Sequence, residues 1–249
     1  GLGDVYKRQT YSGSGAPSVE GINFKAMKGQ TIGVIGGTGS GKSSLVNLIP
    51  RLYDATQGEV LVDGVNVKDY DIEALRNKVG IVMQKAVLFK GTIRENMWMG
   101  KKGATDEQID EALEISQSKE FVDSKQGRLD YVIEQGGKNL SGGQRQRLTI
   151  ARAIVRKPDV LILDDSASAL DFATDAALRK AIRGMNNSPT VFIVSQRAAS
   201  LMYADLIIVL DDGQVAGMGT HDELLANCEV YKEIYESQFK KADSEGGVA

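Results

Sequence analysis

Apolar positions along this chain fall into short blocks with two different periodicities. Thr31–Gly36 (TIGVIG), Val79–Met83 (VGIVM), Asp159–Asp165 (DVLILDD) and Thr190–Ser195 (TVFIVS) are short apolar runs rich in branched residues. That is the pattern of strands buried on both faces. Ser18–Ala26 (SVEGINFKA) predicts another strand, followed by a turn at Lys28–Gly29. Glu59–Gly64 predicts a strand ending in an Asp-Gly turn, and Leu206–Gly219 a closing hairpin about Asp212–Gly213. Between these blocks the period becomes helical. KSSLVNLIPRL (Lys42–Leu52) reads as a helix, and so do DELLA (Asp222–Ala226) and VYKEIYESQFKKA (Val230–Ala242) near the C-terminus. In Thr105–Ser116, Thr105 and Gln108 stand at capping-box spacing, and Ile109, Ala112, Leu113 and Ser116 share one face. The stretch from about Ile93 to Arg128 reads as mostly helical. Strands alternating with helices predict an α/β fold with a parallel sheet and helices on its faces.

The ends read differently. Residues 1–9 (GLGDVYKRQ) show neither strand alternation nor helical period, and the first residue is not Met. They read either as a truncated, foreign or misassembled end or as a native segment; if foreign, a native first strand is missing. Residues 10–241 are expected to form one domain, with a helical lobe at about 93–155, and 242–249 a frayed tail. Composition changes little in this picture. At 249 residues, 42% hydrophobic and 25% charged, the chain is of ordinary globular type and long enough for a sizeable core. A net charge of −3 without a basic block argues against a nucleic-acid backbone as partner. A single Cys excludes an internal disulfide framework, and no apolar run is long enough to cross a bilayer.

The candidate chemistry starts at Gly36–Ser43, GGTGSGKS, which fits the P-loop pattern of Gly, four residues, then Gly-Lys-Ser. Glycines let backbone N–H groups turn around phosphate oxygens, and the helix that follows presents its positive end to the same anion. Gly36, Gly37, Thr38, Gly39, Ser40, Gly41, Lys42, Ser43 and Ser44 are the expected nucleotide-binding residues. Lys42 would reach the β- and γ-phosphates and the Ser43 hydroxyl would meet Mg²⁺. The motif sits between a buried strand and a helix, as it requires. A second Mg²⁺-directed group is Asp164, at the C-terminal end of the apolar run VLILD, where α/β sheets present ligand groups.

A third element points to a family. Leu140-Ser141-Gly142-Gly143-Gln144, followed by RQRLTIARAIVRKPDVLILDD, closely resembles the signature motif and downstream helix of ATP-binding cassette (ABC) proteins. The order P-loop, helical lobe, signature, Asp-bearing strand is that family's order, and the likeness covers nearly everything from Tyr11 to Phe239. It implies a P-loop NTPase core with a mainly parallel sheet flanked by helices, an N-terminal antiparallel β part and an inserted helical lobe. It implies ATP and Mg²⁺ as ligands, with Ser43, Gln84 and Asp164 on the metal. Tyr11 matches the aromatic that stacks on adenine, Gln84 the glutamine that couples to the membrane domain, and Ser168–Asp171 (SALD) the loop between two sites. Glu134 lies near the acidic position that faces the membrane domain. Ser141, Gly142, Gly143 and Gln144 would meet the γ-phosphate held by a second cassette in a head-to-tail dimer. The segment FKGTIRENMWMG is similar to that of exporters. By resemblance, transmembrane domains precede such a cassette on the same polypeptide and hold it at the cytoplasmic face of the membrane.

Two positions depart from the family's active pattern. The residue after the metal-binding aspartate, usually Glu, is Asp165, and the strand-end histidine is Gln196. Asp is one methylene shorter, and Gln has no useful acid–base chemistry and no positive charge. The catalytic candidates are therefore Lys42, Gln84, Asp165 and Gln196. Together the two changes resemble one half of a heterodimeric exporter, a chain that binds MgATP well and cleaves it slowly. A largely non-catalytic ATP clamp and a soluble ABC protein of translation or DNA repair are the alternatives. The chain shows neither the tandem cassettes nor the long coiled-coil insertion that would favour the latter. His221, the only histidine, reads as a helix-terminal packing residue, Cys228 as structural, and Phe89 and Trp98 as packing residues of the lobe. Lys101–Lys102 and Lys240–Lys241 read as solvated charges.

Overall fold

In the computed structural model, which describes residues 6–10, 17–166 and 169–245, Thr31–Gly36 is a strand in which every residue is buried. Parallel neighbours flank it on both sides, Thr190–Val194 and Leu206–Asp211. Burial on both faces explains why these segments carry continuous apolar runs. Leu206–Asp211 then turns through Asp212 and Gly213, at φ 42° and 78°, into the antiparallel strand Gln214–Gly219. Two consecutive positive φ values give the hairpin turn that follows the strands' own twist, and Asp-Gly tolerates it. Phe24 and Phe192 meet edge-to-face in the core of this part, with ring centroids 6.1 Å apart.

The chain divides into two compact units, residues 1–76 with 190–249, and residues 77–189. The first unit also holds the small antiparallel sheet. There Tyr6–Thr10 pairs with Pro17–Ile22 and with Gln57–Glu59. Residues 6–9 show no strand alternation in the sequence, which leaves their nature open; their partners on both sides supply the strand. The predicted strand Glu59–Gly64 is divided. Gln57–Glu59 belongs to this sheet, whereas Leu61–Val62 folds back on Val65–Asn66 through Asp63–Gly64, at φ 52° and 78°. The tight turn leaves only two residues on each side to pair.

The helix after the glycine-rich loop is shorter than its pattern predicts, Lys42–Asn47. Beyond it the N–H groups of Leu48, Ile49 and Arg51 bond three residues back, and Arg51 stands at φ 52°. Pro50 explains the stop, because it lacks an N–H and biases Ile49 away from helical geometry. The Arg76 guanidinium closes the end by donating to the carbonyls of Pro50 (3.3 Å) and Arg51 (3.1 Å).

In the second unit, Val79–Val82 runs parallel to Val160–Asp164. Helices Ile93–Trp98, Asp106–Ile115, Lys119–Asp123, Gly142–Ile154 and Phe172–Arg183 accompany this pair. Thr105 and Gln108 form the expected capping box, and Ile109, Ala112, Leu113 and Ser116 are all buried. The same reciprocal cap recurs at Thr92/Glu95 and at Ser141/Gln144. Gly91–Thr92 and Val132–Ile133, one just before and one just after the helical stretch, form a two-residue antiparallel pair that the periodicity does not reveal. Trp98 donates its indole N–H to the Ala104 carbonyl (3.0 Å), and Arg152 lies over the Phe89 ring. Both aromatics are nevertheless exposed, Phe89 at 47% and Trp98 at 40%, so neither is the buried packing residue expected.

At the C-terminal end, Thr220 and Glu223 cap helix His221–Asn227, and helix Glu229–Glu245 follows, continuing into the stretch expected to fray. His221 Nδ1 is 2.8 Å from the hydroxyl oxygen of Tyr231, whose fully buried phenol is pushed up to about 12 by desolvation. His221 is thus a packing residue, and Cys228 is a buried thiol against the Ala216 carbonyl. Among the described residues no helix is long and apolar enough to cross a membrane.

Candidate nucleotide-binding site

Strand Thr31–Gly36 delivers the glycine-rich loop to the C-terminal edge of the parallel strands in the first unit. Gly36 is required there by close approach. A Cβ at this position would collide with the Leu210 carbonyl oxygen and stand 2.5 Å from Ser40 Oγ. Gly39 and Gly41 take φ of 82° and 93°, so the chain curls back before the helix begins. Lys42 closes the loop. Its ammonium donates to the carbonyls of Gly36 (2.9 Å) and Gly37 (2.6 Å) and to Ser40 Oγ (3.4 Å), with the residue only 9% exposed. Gly37, Thr38, Gly39 and Ser43 are exposed, and Ser44 is half-buried. The result is a small concave ring of main chain with one cation fixed at its centre, a shape that suits a phosphate tail. Alanine at position 36 is expected to lower stability by about 2–3 kcal/mol through the forced backbone shift. A urea unfolding midpoint equal to the parent's would contradict the close approach.

Gln196 reaches the same edge of the same unit. Val194 pairs with Val34 in the parallel register, and the Ser195 N–H donates to the Val34 carbonyl (3.1 Å). Gln196 therefore follows its strand by the distance that Gly36 follows Val34. Its side chain is exposed.

The second unit carries the other candidates at the equivalent edge of its own strands. Leu163 pairs with Val82, so two residues on, Asp165 stands opposite Gln84. The Gln84 amide donates to the Asp165 carboxylate (3.2 Å). Asp164 ends the strand with 5% exposure. Asp165, just past it, takes φ 47°, an uncommon backbone for a non-glycine residue. Ser141 caps helix Gly142–Ile154, accepting the Gln144 N–H at its hydroxyl (3.2 Å), while Gln144 accepts the Ser141 N–H (3.1 Å). A capping hydroxyl uses one lone pair, so its own O–H stays able to donate to an anion. Glu134 is exposed, and its backbone N–H donates to Asn139 (3.0 Å). Asp171 caps helix Phe172–Arg183, and hydrogen bonds from the Thr174 backbone N–H and hydroxyl hold its carboxyl below the usual range. Tyr11 and Ser168 lie outside the described residues. Among the described residues no cluster of His, Cys, Asp and Glu is arranged to hold a metal ion by itself.

A family model described as ABC transporter matches residues 19–168, more than half of the chain. This chain is a member of the ABC transporter family. An uncharacterised ABC transporter ATP-binding protein of Mycobacterium tuberculosis is 43% identical over 96% of this chain and 41% of its own length. An uncharacterised ABC transporter ATP-binding protein of Bacillus subtilis, YfiB, is 45% identical over 90% of this chain and 39% of its own. A Staphylococcus aureus protein named for multidrug export as an ATP-binding/permease protein is 39% identical over 92% of this chain and 39% of its own. Among solved structures, a bacterial Atm1-family ABC exporter with ATP bound superposes with a TM-score of 0.89 at 30% identity, covering 95% of this chain and 41% of that one. The chain thus spans about two-fifths of the length of the relatives it matches. Fold and family agree: this ABC transporter chain has the mixed α/β architecture of a P-loop NTPase, with mainly parallel strands and a small antiparallel sheet. It is an ATP-binding domain.

Proposed function

We propose that residues 10–241 are the nucleotide-binding cassette of an exporter, with residues 93–155 as its helical lobe, and that its own P-loop binds MgATP well but hydrolyses it slowly. The observation that carries this reading is a complete binding loop alongside two altered strand ends. Gly36–Ser44 keep the P-loop pattern, with Lys42 bonded to the Gly36 and Gly37 carbonyls, while Asp165 and Gln196 stand in the sequence where the family's usual Glu and His would activate water and contact the γ-phosphate. Ser43, Gln84 and Asp164 would hold Mg²⁺ through a hydroxyl, an amide carbonyl and a carboxylate, all hard oxygen donors. Bound Mg²⁺ would offset charge on the phosphate oxygens. Tyr11 would stack on adenine. Ser141, Gly142, Gly143 and Gln144 would complete the site of a second cassette. That partner would carry Glu and His at the positions of Asp165 and Gln196, which makes the assembly a head-to-tail heterodimer. Membrane domains would hold both cassettes at the cytoplasmic face, and the multidrug-export naming of the Staphylococcus aureus relative supports an export direction.

Hydrolysis at this site would need Asp165 to take a proton from water. Its carboxylate is a methylene shorter than glutamate and already accepts the Gln84 amide. That hydrogen bond favours a second reading, an ATP clamp whose occupancy holds the dimer without turnover. One preparation tests both. With Mg²⁺ supplied, the purified chain should bind ATP in the micromolar range and release phosphate well below 1 s⁻¹, the lower end of ordinary enzyme turnover at about 1–10³ s⁻¹. Fast, saturable phosphate release would overturn the slow-site reading. Binding with no measurable release would select the clamp.

A further inference from the structure

The loop that carries Gln196 is held from a distant part of the same unit. After Ser195 the chain leaves the ladder, so the backbone groups of residues 196–198 need partners elsewhere. One side chain serves two of them. The Gln238 carboxamide, on helix Glu229–Glu245, donates from Nε2 to the Gln196 carbonyl (2.7 Å) and accepts at Oε1 from the Ala198 N–H (2.9 Å). A residue in a parallel neighbouring strand bonds in the same way, donating to the carbonyl of one residue and accepting from the N–H two residues further on. The amide thus extends the ladder by one rung where no strand continues. A third bond, from the Arg197 N–H to Ser195 Oγ (2.9 Å), closes the loop from inside.

Whether the carboxamide reaches this loop depends on where the helix sits along its axis. Tyr231 lies seven residues earlier, two turns back and on the same side. It is fully buried and bonds to His221 Nδ1 at 2.8 Å. Ring packing continues from His221 to Tyr235 (5.2 Å between centroids) and from Tyr235 to Phe239 (4.2 Å). The aromatic run and the carboxamide therefore lie on one stretch of helix. The first anchors it, and the second transmits its position to Gln196.

We propose that Gln238 is a positioning residue for recognition of the nucleotide's terminal phosphate: by fixing the main chain at Gln196 it aims that side chain, and so sets the preference for triphosphate over diphosphate. The inference rests on the assignment of Gln196 to the γ-phosphate. It is tested on the full 249-residue chain with fluorescent ATP and ADP analogues and Mg²⁺, comparing the parent, Gln196→Ala, Gln238→Ala and the double variant. Each single variant should lower the ratio of ATP to ADP affinity roughly 10- to 150-fold, the size of one hydrogen bond to a charged group, with ADP affinity unchanged. The double variant should be no worse than Gln196→Ala alone, because Gln238 acts through Gln196. Equal losses for both nucleotides, or losses that add in the double variant, would mean a merely structural role and overturn the proposal. If Gln196→Ala leaves the ratio intact, the γ-phosphate assignment itself fails. If it lowers the ratio and Gln238→Ala does not, only the positioning role fails. Should Gln238→Ala unfold, Gln238→Glu keeps the acceptor for Ala198 and loses the donor to Gln196. It should show the same fall in ratio, and an unchanged ratio would refute the role.

Discussion

Lys42→Ala is expected to abolish retention of ATP at micromolar concentrations. The ammonium is nearly buried and bound to the Gly36 and Gly37 carbonyls and to Ser40 Oγ, so it both shapes the loop and supplies its only fixed cation among the residues from Gly36 to Ser44. Hydrogen bonds to a charged group contribute about 1.5–3 kcal/mol each, so losing two to the phosphates should weaken binding roughly 10²- to 10⁴-fold. Titration with a fluorescent triphosphate in the presence of Mg²⁺ measures this, and a thermal melt of the ligand-free protein separates it from loss of fold. Lys42→Arg should recover little, because a planar guanidinium does not fit a ring shaped around a compact ammonium. An alanine variant that binds as tightly as the parent would remove the basis for the site.

The second large effect is a gain. Asp165→Glu together with Gln196→His should raise the turnover of the isolated chain by about 100-fold or more. A catalytic group misplaced by about 1 Å loses on the order of 100-fold, and one methylene is a displacement of that order. Histidine adds a group that can carry positive charge toward the developing charge on the phosphate. Asp165→Glu alone should give part of the gain and Gln196→His alone less, since a well-aimed histidine has little to stabilise while the attacking water is poorly activated. Phosphate release under saturating ATP is the measurement, and ATP affinity should stay within a few-fold of the parent. Equal rates before and after would refute the assignment of slow turnover to Asp165 and Gln196.

Motifs whose residues encode local backbone geometry were readable in advance. Thr31–Gly36 and Val160–Asp164 carry continuous apolar runs because both faces of each strand are covered, and the structure buries every residue of both. The Asp212–Gly213 hairpin and the Thr105/Gln108 cap follow from turn and capping chemistry that needs no distant partner. Elsewhere the decisive interaction is remote or local signals conflict. Tyr6–Thr10 becomes a strand only through its neighbours on both sides. The helix after the P-loop carries an apolar period past its true end, and Pro50 with the Arg76 guanidinium decides where it stops. At the candidate site, the glycines and Lys42 can be named from spacing, and Gly36 shows why no side chain is tolerated there. Gln238 carries no motif at all. Its partners lie 40 and 42 residues away, and an exposed-looking glutamine on a polar helix gives no warning of two main-chain bonds.

The parallel register of Thr31–Gly36 has a consequence for how the chain is made. Both of its strand neighbours, Thr190–Val194 and Leu206–Asp211, come from the far side of the intervening unit. During synthesis, Val34 must wait for a partner that emerges about 160 residues later, some 10–30 s at ordinary ribosomal speeds of about 5–20 residues per second. Residues 77–189 can meanwhile complete their own strand pair, because both of its members fall within that span. While those residues are being made, Thr31–Gly36 is an apolar segment that lacks both of its parallel ladder partners.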